Sequence, residues 1–213
     1  MNLNKVDKKE FSMRIKGIDV SYADGTIHWG KVKKDGIHFA MIRAGFGRDH
    51  IDQEFERNIK ECNHYRIPAG AYWFSYAYTK EMARQEARDC LRMIKRHRIE
   101  YPVAFDFEED SVRYAKEQGV EVTKELVTDL TEEFLKEIKK AGYHAMYYAD
   151  LSDLDEYYDR ERLKEYEFWL ARYAHTKGAA DVQMWQHTDR GRVRGIRGYV
   201  DLNYSYKNYE MRE

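Results

Sequence analysis

Strand-like and helix-like runs take turns along this chain, and that alternation limits what it can fold into more than any single residue does. The runs at 14–21, 39–44, 70–76 and 102–107 are short, apolar and rich in β-branched and aromatic residues, with Gly, Asp or Pro at their borders, and they read as strands. Between them, apolar residues recur at helical spacing. Ile27, Trp29 and Val32 mark a short amphipathic segment, and Phe55, Ile59 and Cys62 mark a helix over 52–66. Ala83, Ala87, Leu91 and Ile94 stripe a helix over 80–98 behind Thr79, a natural N-cap. Leu126, Leu130, Phe134 and Ile138 do the same over 123–141, which stops at Gly142. A strand at 145–148, a Tyr- and Asp-rich helical region and a strand at 168–173 follow. Then the pattern changes. The runs 182–187 and 199–203 look like strands joined through turns from Gly191 to Gly198, with no helical stripe between them. Repeated β-then-α units imply a parallel sheet, here expected to close as an α/β barrel whose final strands lack helices.

The 213 residues, 43% of them hydrophobic, suffice for one such domain. Only two prolines, no low-complexity run and no internal repeat argue against a linker or a second domain. A net charge of −1 gives no global attraction to nucleic acid or to a membrane surface. No 18-residue apolar stretch is present to span a membrane, and residues 1–13 form a charged extension without the apolar segment of a signal peptide. Cys62 and Cys90 fall on separate helices, so two free, partly buried thiols are expected. The eight histidines show no His-x-His or His-Glu-x-x-His spacing, and no metal or other cofactor is expected.

Chemistry concentrates at 102–110, Pro-Val-Ala-Phe-Asp-Phe-Glu-Glu-Asp. Strand alternation turns Asp106 and Glu108 to one side, roughly 7 Å apart at Cα, and Phe105 and Phe107 to the other. Paired carboxylates in one pocket shift each other's pKa, and a polarised acid/base pair is what cleavage of a glycosidic bond needs. Asp19 and Asp201 also lie late in, or just past, apolar strand-like runs. In a parallel barrel such positions gather at one mouth. Tyrosine is abundant, 18 residues beside 9 Phe and 4 Trp, and its flat face with a polar tip suits a sugar cleft as well as a barrel core.

These pieces together resemble the glycosyl hydrolase family 25 lysozymes, which are N-acetylmuramidases. The likeness begins at Lys16-Gly17-Ile18-Asp19-Val20-Ser21, Ile27-His28-Trp29 and Phe39-Ala40-Met41-Ile42-Arg43-Ala44-Gly45. It runs on through Pro68-Ala69-Gly70-Ala71-Tyr72-Trp73-Phe74, Val103-Ala104-Phe105-Asp106-Phe107-Glu108 and Phe168-Trp169-Leu170-Ala171-Arg172-Tyr173. Met184-Trp185-Gln186-His187 and Val200-Asp201-Leu202-Asn203 complete it. The resemblance implies a modified TIM-like barrel, about five β/α units followed by helix-poor antiparallel strands. It implies a single catalytic domain over 14–213, a monomer, secreted or associated with the cell wall. It also implies hydrolysis of the β-1,4 bond after N-acetylmuramic acid in bacterial peptidoglycan, without a cofactor.

Carried over by position, Glu108 is the general acid/base, Asp106 its partner carboxylate, and Asp19 and Asp201 two supporting acids. Tyr72, Tyr148, Tyr173, Trp169, Trp185 and Gln186 match positions near the family's cleft. Glu108 should be raised in pKa by burial and anionic neighbours, and Asp106 should be held ionised by hydrogen bonds. Asp106 then either attacks the anomeric carbon or orients the substrate's own acetamido group to do so. A hexosaminidase or chitinase-like glycosidase and a non-catalytic wall-binding barrel remain alternative readings of the same residues.

Overall fold

The structure, a computed structural model, describes residues 14–178 and 181–209; the extension inferred over 1–13 lies outside the described residues. Five strands, each followed by helix, come first. β1 (Ile15–Val20) leads to α1 (Trp29–Lys34), and β2 (Phe39–Phe46), with a short β3 (His50–Ile51) on its edge, leads to α2 (Phe55–His64). β4 (Ala69–Phe74) leads to α3 (Lys80–Ile94), and β5 (Val103–Asp106) to α4 (Glu109–Glu117) and α5 (Lys124–Lys140). β6 (Ala145–Asp150) leads to α6 (Leu151–Tyr157). β7 (Glu167–Ala171), β8 (Met184–Gly191) and β9 (Val200–Ser205) follow with no helix between them among the described residues.

β1 pairs with both β2 and β9, so the sheet closes into a barrel of eight strands with β3 outside the ring. This is the modified TIM-like barrel expected from the sequence, and one detail is sharper. β8 still runs parallel to β7, and within the ring only β9 reverses, antiparallel to β8 and to β1. One stretch of helix was not anticipated. Glu109 and Asp110, at the end of the acidic 102–110 stretch, form the first turn of α4, where negative charge complements the helix dipole.

Period-two alternation sorts the strand residues into two cores. Outward-facing Ile18, Ile42, Trp73, Phe105 and Leu170 pack beneath the helices, with Phe134 of α5 lying 5.2 Å from Phe105 between ring centroids. Burying each of these side chains contributes on the order of 2–3 kcal/mol. Inward-facing Phe39, Met41, Ala104, Met146, Trp169 and Met184 fill the barrel. Thr123 starts α5 by accepting from the Leu126 N–H at 3.2 Å, and Thr79 starts α3 by accepting from the Met82 N–H. Cys62 on α2 and Cys90 on α3 are free and fully buried, beyond the partial burial expected. No helix among the described residues is long and apolar enough to cross a membrane.

The end of the barrel away from the strands' C-termini is sealed by rings. Phe39 stacks on Tyr101 at 4.4 Å, and Tyr209 tilts against Tyr101 at 4.9 Å. Gly17 makes room for this plug, because a Cβ there would stand 2.3 Å from Phe39 Cε1. Gly17→Ala therefore forces the plug apart and should lower stability by about 1–3 kcal/mol, as overpacking does in dense cores. Urea unfolding checks this, and a midpoint equal to wild type contradicts it.

Candidate active site

The opposite end of the barrel gathers the polar residues. Each parallel strand contributes its C-terminal end, and the reversed β9 contributes its start. Asp19 thus pairs with Asp201 across β1–β9, and Asp106 stands between Phe74 of β4 and Tyr148 of β6. Gln186 stands between Ala171 and Asn203. Together they surround a cavity of about 230 Å³ that Asp19, Tyr72, Asp106, Glu108, Tyr148, Trp169, Tyr173, Gln186 and Asp201 all line. Arg43 and Phe74 line it too, although sequence reasoning passed over them. Glu108, Tyr148 and Tyr173 also border an adjoining cavity of about 320 Å³ with Asp150, Ser152 and Arg172, so the opening is elongated.

Trp185 is the exception. Met184 and Gln186 point into the barrel, so period two turns Trp185 outward, into the shell beneath the surface. Its indole N–H donates to the Arg172 carbonyl at 2.8 Å, and its ring packs against His187 and Tyr204. It is a wall residue, not a cleft residue. Trp169 does face the cavity but as its floor, 2% exposed, with its edge toward Tyr148 and Tyr72.

Gln186 is the centre of a buried network. Its amide oxygen accepts from Tyr148 Oη at 2.9 Å and Tyr173 Oη at 3.0 Å, while its amide nitrogen donates to both Asp19 oxygens at 3.0 and 3.2 Å. Asn203 donates to Asp19 Oδ2 at 2.6 Å and accepts from the Trp169 indole N–H at 2.8 Å. Both lone-pair sites of the Gln186 oxygen are taken, so this side chain positions its neighbours rather than waiting for a sugar hydroxyl. Asn203 was missed. The only sequence signal for it is that it lies two residues after Asp201, on the same strand face.

The acids are held in little water. Burial raises Glu108 to about 7, against the lowering effect of a hydrogen bond with Asp106. Burial, followed by the charge of Glu108 and that same hydrogen bond, pushes Asp106 well above the usual carboxylate range. The expectation that donors hold Asp106 ionised is not met. Its Oδ1 is buried without a partner, and the nearby Arg43 spends its Nε on Asp52 at 2.9 Å. Both carboxyls of the pair therefore hold a proton more tightly than a free carboxyl does. Asp19 is raised to about 6 by burial, offset by its bonds from Gln186 and Asn203, and Asp201 to about 8 by burial and the charge of Asp19. No group of three or more His, Cys, Asp or Glu among the described residues could hold a metal ion.

Residues 18–196 match the family model of glycosyl hydrolases family 25. The chain belongs to this family. As a member of family 25 it is a glycoside hydrolase of the lysozyme type. It is 32% identical over 200 residues to the uncharacterized protein YegX of Escherichia coli K12, covering 90% of this chain and 70% of YegX. Among solved structures it resembles a family 25 glycosyl hydrolase from Bacillus anthracis, with a TM-score of 0.74 and 27% identity over 92% of this chain and 90% of that one. It also resembles the modular autolysin LytC of Streptococcus pneumoniae, solved with a synthetic peptidoglycan ligand, with a TM-score of 0.79 and 25% identity. That match covers 90% of this chain and 46% of the autolysin, so the chain spans less than half of that protein.

The raised acids have a consequence for stability. Asp201 binds its proton up to about pH 8 when folded but only to about 3.8 when unfolded, so its contribution is full below the lower value and is lost as pH rises through the higher one. Stability should fall between pH 4 and pH 8, and Asp201→Asn should flatten part of that fall. Melting temperatures across this range test it; parallel profiles for the two proteins contradict it.

Proposed function

We propose that this chain hydrolyses bacterial cell-wall peptidoglycan, acting at the wall on the β-1,4 bond between N-acetylmuramic acid and N-acetylglucosamine. The observation that carries the reading is the buried Asp106–Glu108 pair, two carboxyls that line one cavity at a barrel mouth and are both raised by burial. A pair that shares one proton supplies an acid and a charge from the same site.

Glu108 is the acid. With the proton on its carboxyl, it donates to the glycosidic oxygen as the bond from that oxygen to the anomeric carbon breaks. The second role divides by geometry. Direct attack by a carboxylate on the anomeric carbon is associated with carboxyl groups about 5–5.5 Å apart. Asp106 stands only two residues before Glu108 on the same side of the β5 exit, and we favour the substrate-assisted route on that ground. In that route the acetamido oxygen of the substrate attacks the anomeric carbon, and Asp106, ionised when the pair's proton sits on Glu108, accepts a hydrogen bond from the acetamido N–H. Glu108, now a carboxylate, then takes a proton from the water that opens the cyclic intermediate. The net change is addition of one water across the bond. Asp19, held by Gln186 and Asn203, keeps the surrounding field negative and favours the positive charge that develops on the sugar, while Asp201 beside it keeps its proton.

Mass spectrometry of digested peptidoglycan tests the bond. Fragments ending in reducing muramic acid are expected, and reducing glucosamine would overturn the assignment in favour of a glucosaminidase. Glu108→Gln should cost about 10²–10⁴-fold in kcat while leaving wall binding intact, in line with loss of a general acid. Retained lysis of wall suspensions contradicts the role given to Glu108. Because the acid must be protonated, kcat/KM should decline as pH rises through about 7; a profile flat to pH 9 contradicts this.

A further inference from the structure

The alternation of β4 continues past the end of the strand. Tyr72, Phe74, Tyr76 and Tyr78 occupy every second position, while Ala71, Trp73, Ser75 and Ala77 between them are buried. Tyr72 and Phe74 line the cavity beside Asp106 and Glu108. Tyr76 follows at 5.3 Å from Phe74 between ring centroids. Tyr114, projecting from the α4 helix that begins just after Glu108, meets Tyr76 at 5.2 Å and Tyr78 at 6.2 Å. Tyr114 is 36% exposed, and the other three rings beyond Tyr72 are half-buried. A continuous track of rings therefore leaves the cavity on the β4 side of Glu108. The adjoining cavity with Asp150 and Arg172 lies on the other side, toward β6 and β7.

The track is rigidly mounted. The Ser75 N–H donates to the Asp106 carbonyl at 2.7 Å, and the Gly47 N–H donates to the Phe74 carbonyl at 2.8 Å. Beneath them Glu86 of α3, 1% exposed, accepts from Ser75 Oγ at 2.6 Å and from the Tyr76 N–H at 3.0 Å. Burying a carboxyl is unfavourable, and its two bonds both go to the segment that carries the rings. Exposed aromatics fixed in this way lose little freedom on binding.

We propose that this track is a distal sugar-binding site, which holds the glycan strand beyond the bond being cleaved on the β4 side of Glu108. The inference rests on the glycan-hydrolase reading above. A cavity of about 230 Å³ is smaller than most small-molecule sites, about 300–1,000 Å³, so a strand of linked sugars must extend over the rim. The rings offer flat apolar faces with hydroxyl tips, matching the C–H faces and hydroxyl edges of a pyranose. The charges flanking them, Asp110 and Arg113, are paired at 2.8 Å, which suits a neutral sugar better than the charged peptide stems.

The test compares stem-free glycan strands, prepared from peptidoglycan and fractionated by length, as substrates for wild type, Tyr114→Ala and Tyr114→Phe. With Tyr114→Ala, KM for long strands should rise about fivefold, the scale of one lost aromatic contact, with kcat unchanged. The shortest strands cleaved should end before Tyr114, and their KM should stay at the wild-type value. Tyr114→Phe keeps the ring and should restore most of the affinity for long strands. Equal effects on short and long strands, or no effect on either, overturn the proposal, as does an effect that appears only when peptide stems are present. A wild-type protein that cleaves no strand sinks the glycan-hydrolase reading itself; a cleaving wild type with an unaffected Tyr114→Ala sinks the track alone.

Discussion

Barrel closure through β9 is the constraint on which the remainder of this structure depends. A parallel strand in that place would need a long crossover, whereas a hairpin reversal needs only the short connection from Gly191 to Val200. The reversal also decides which residues meet. Because β9 starts at the mouth, Asp201 and Asn203 arrive beside Asp19, and Asn203 links Asp19 to Trp169. From the other flank Gln186 reaches the same carboxylate. Three strands that close the ring are thereby tied at one buried acid.

That arrangement sets the electrostatics. Asp19, Asp106, Glu108 and Asp201 stand in one small mouth with Arg43 the one cation lining it among the described residues, and burial raises all four. Asp19 has two strong donors and is raised least among those with a stated value above the ordinary aspartate range, while Asp201, facing the charge of Asp19, is raised further. Hydrogen-bond supply, as well as depth, separates acids that carry charge from acids that carry protons. A site built this way gives up stability at neutral pH in return for a proton held where a sugar oxygen can take it.

The sequence made the barrel legible because period two and period 3.6 follow directly from backbone geometry. It placed Asp106 and Glu108 on one face and Phe105 and Phe107 on the other, and the structure keeps that division. Alternation was also the key to Trp185, since its neighbour Gln186 was assigned to the cleft and two adjacent strand residues cannot share a face. Proximity in sequence to a motif misled there. Arg43 and Asn203 were invisible for a different reason. Their importance comes from partners 9 and 184 residues away, Asp52 and Asp19, and no local pattern announces such a meeting. The raised pKa of Asp106 was not legible either, because the donors available to a carboxyl depend on tertiary contacts.

Closure by β9 also ties the enclosure of the site to the removal of sheet edges. Until residues 200–205 are in place, β1 has a partner on one side only, and the sheet is an open ribbon with two bare edges. Asp19 then lacks Asn203, Asp201 is absent from the mouth, and the cavity has no eighth wall. A chain emerging from its N-terminus would carry Asp106 and Glu108 long before it possesses the enclosure that keeps water from them. The completed site in this protein thus depends on the same strand that removes the sheet's exposed edges.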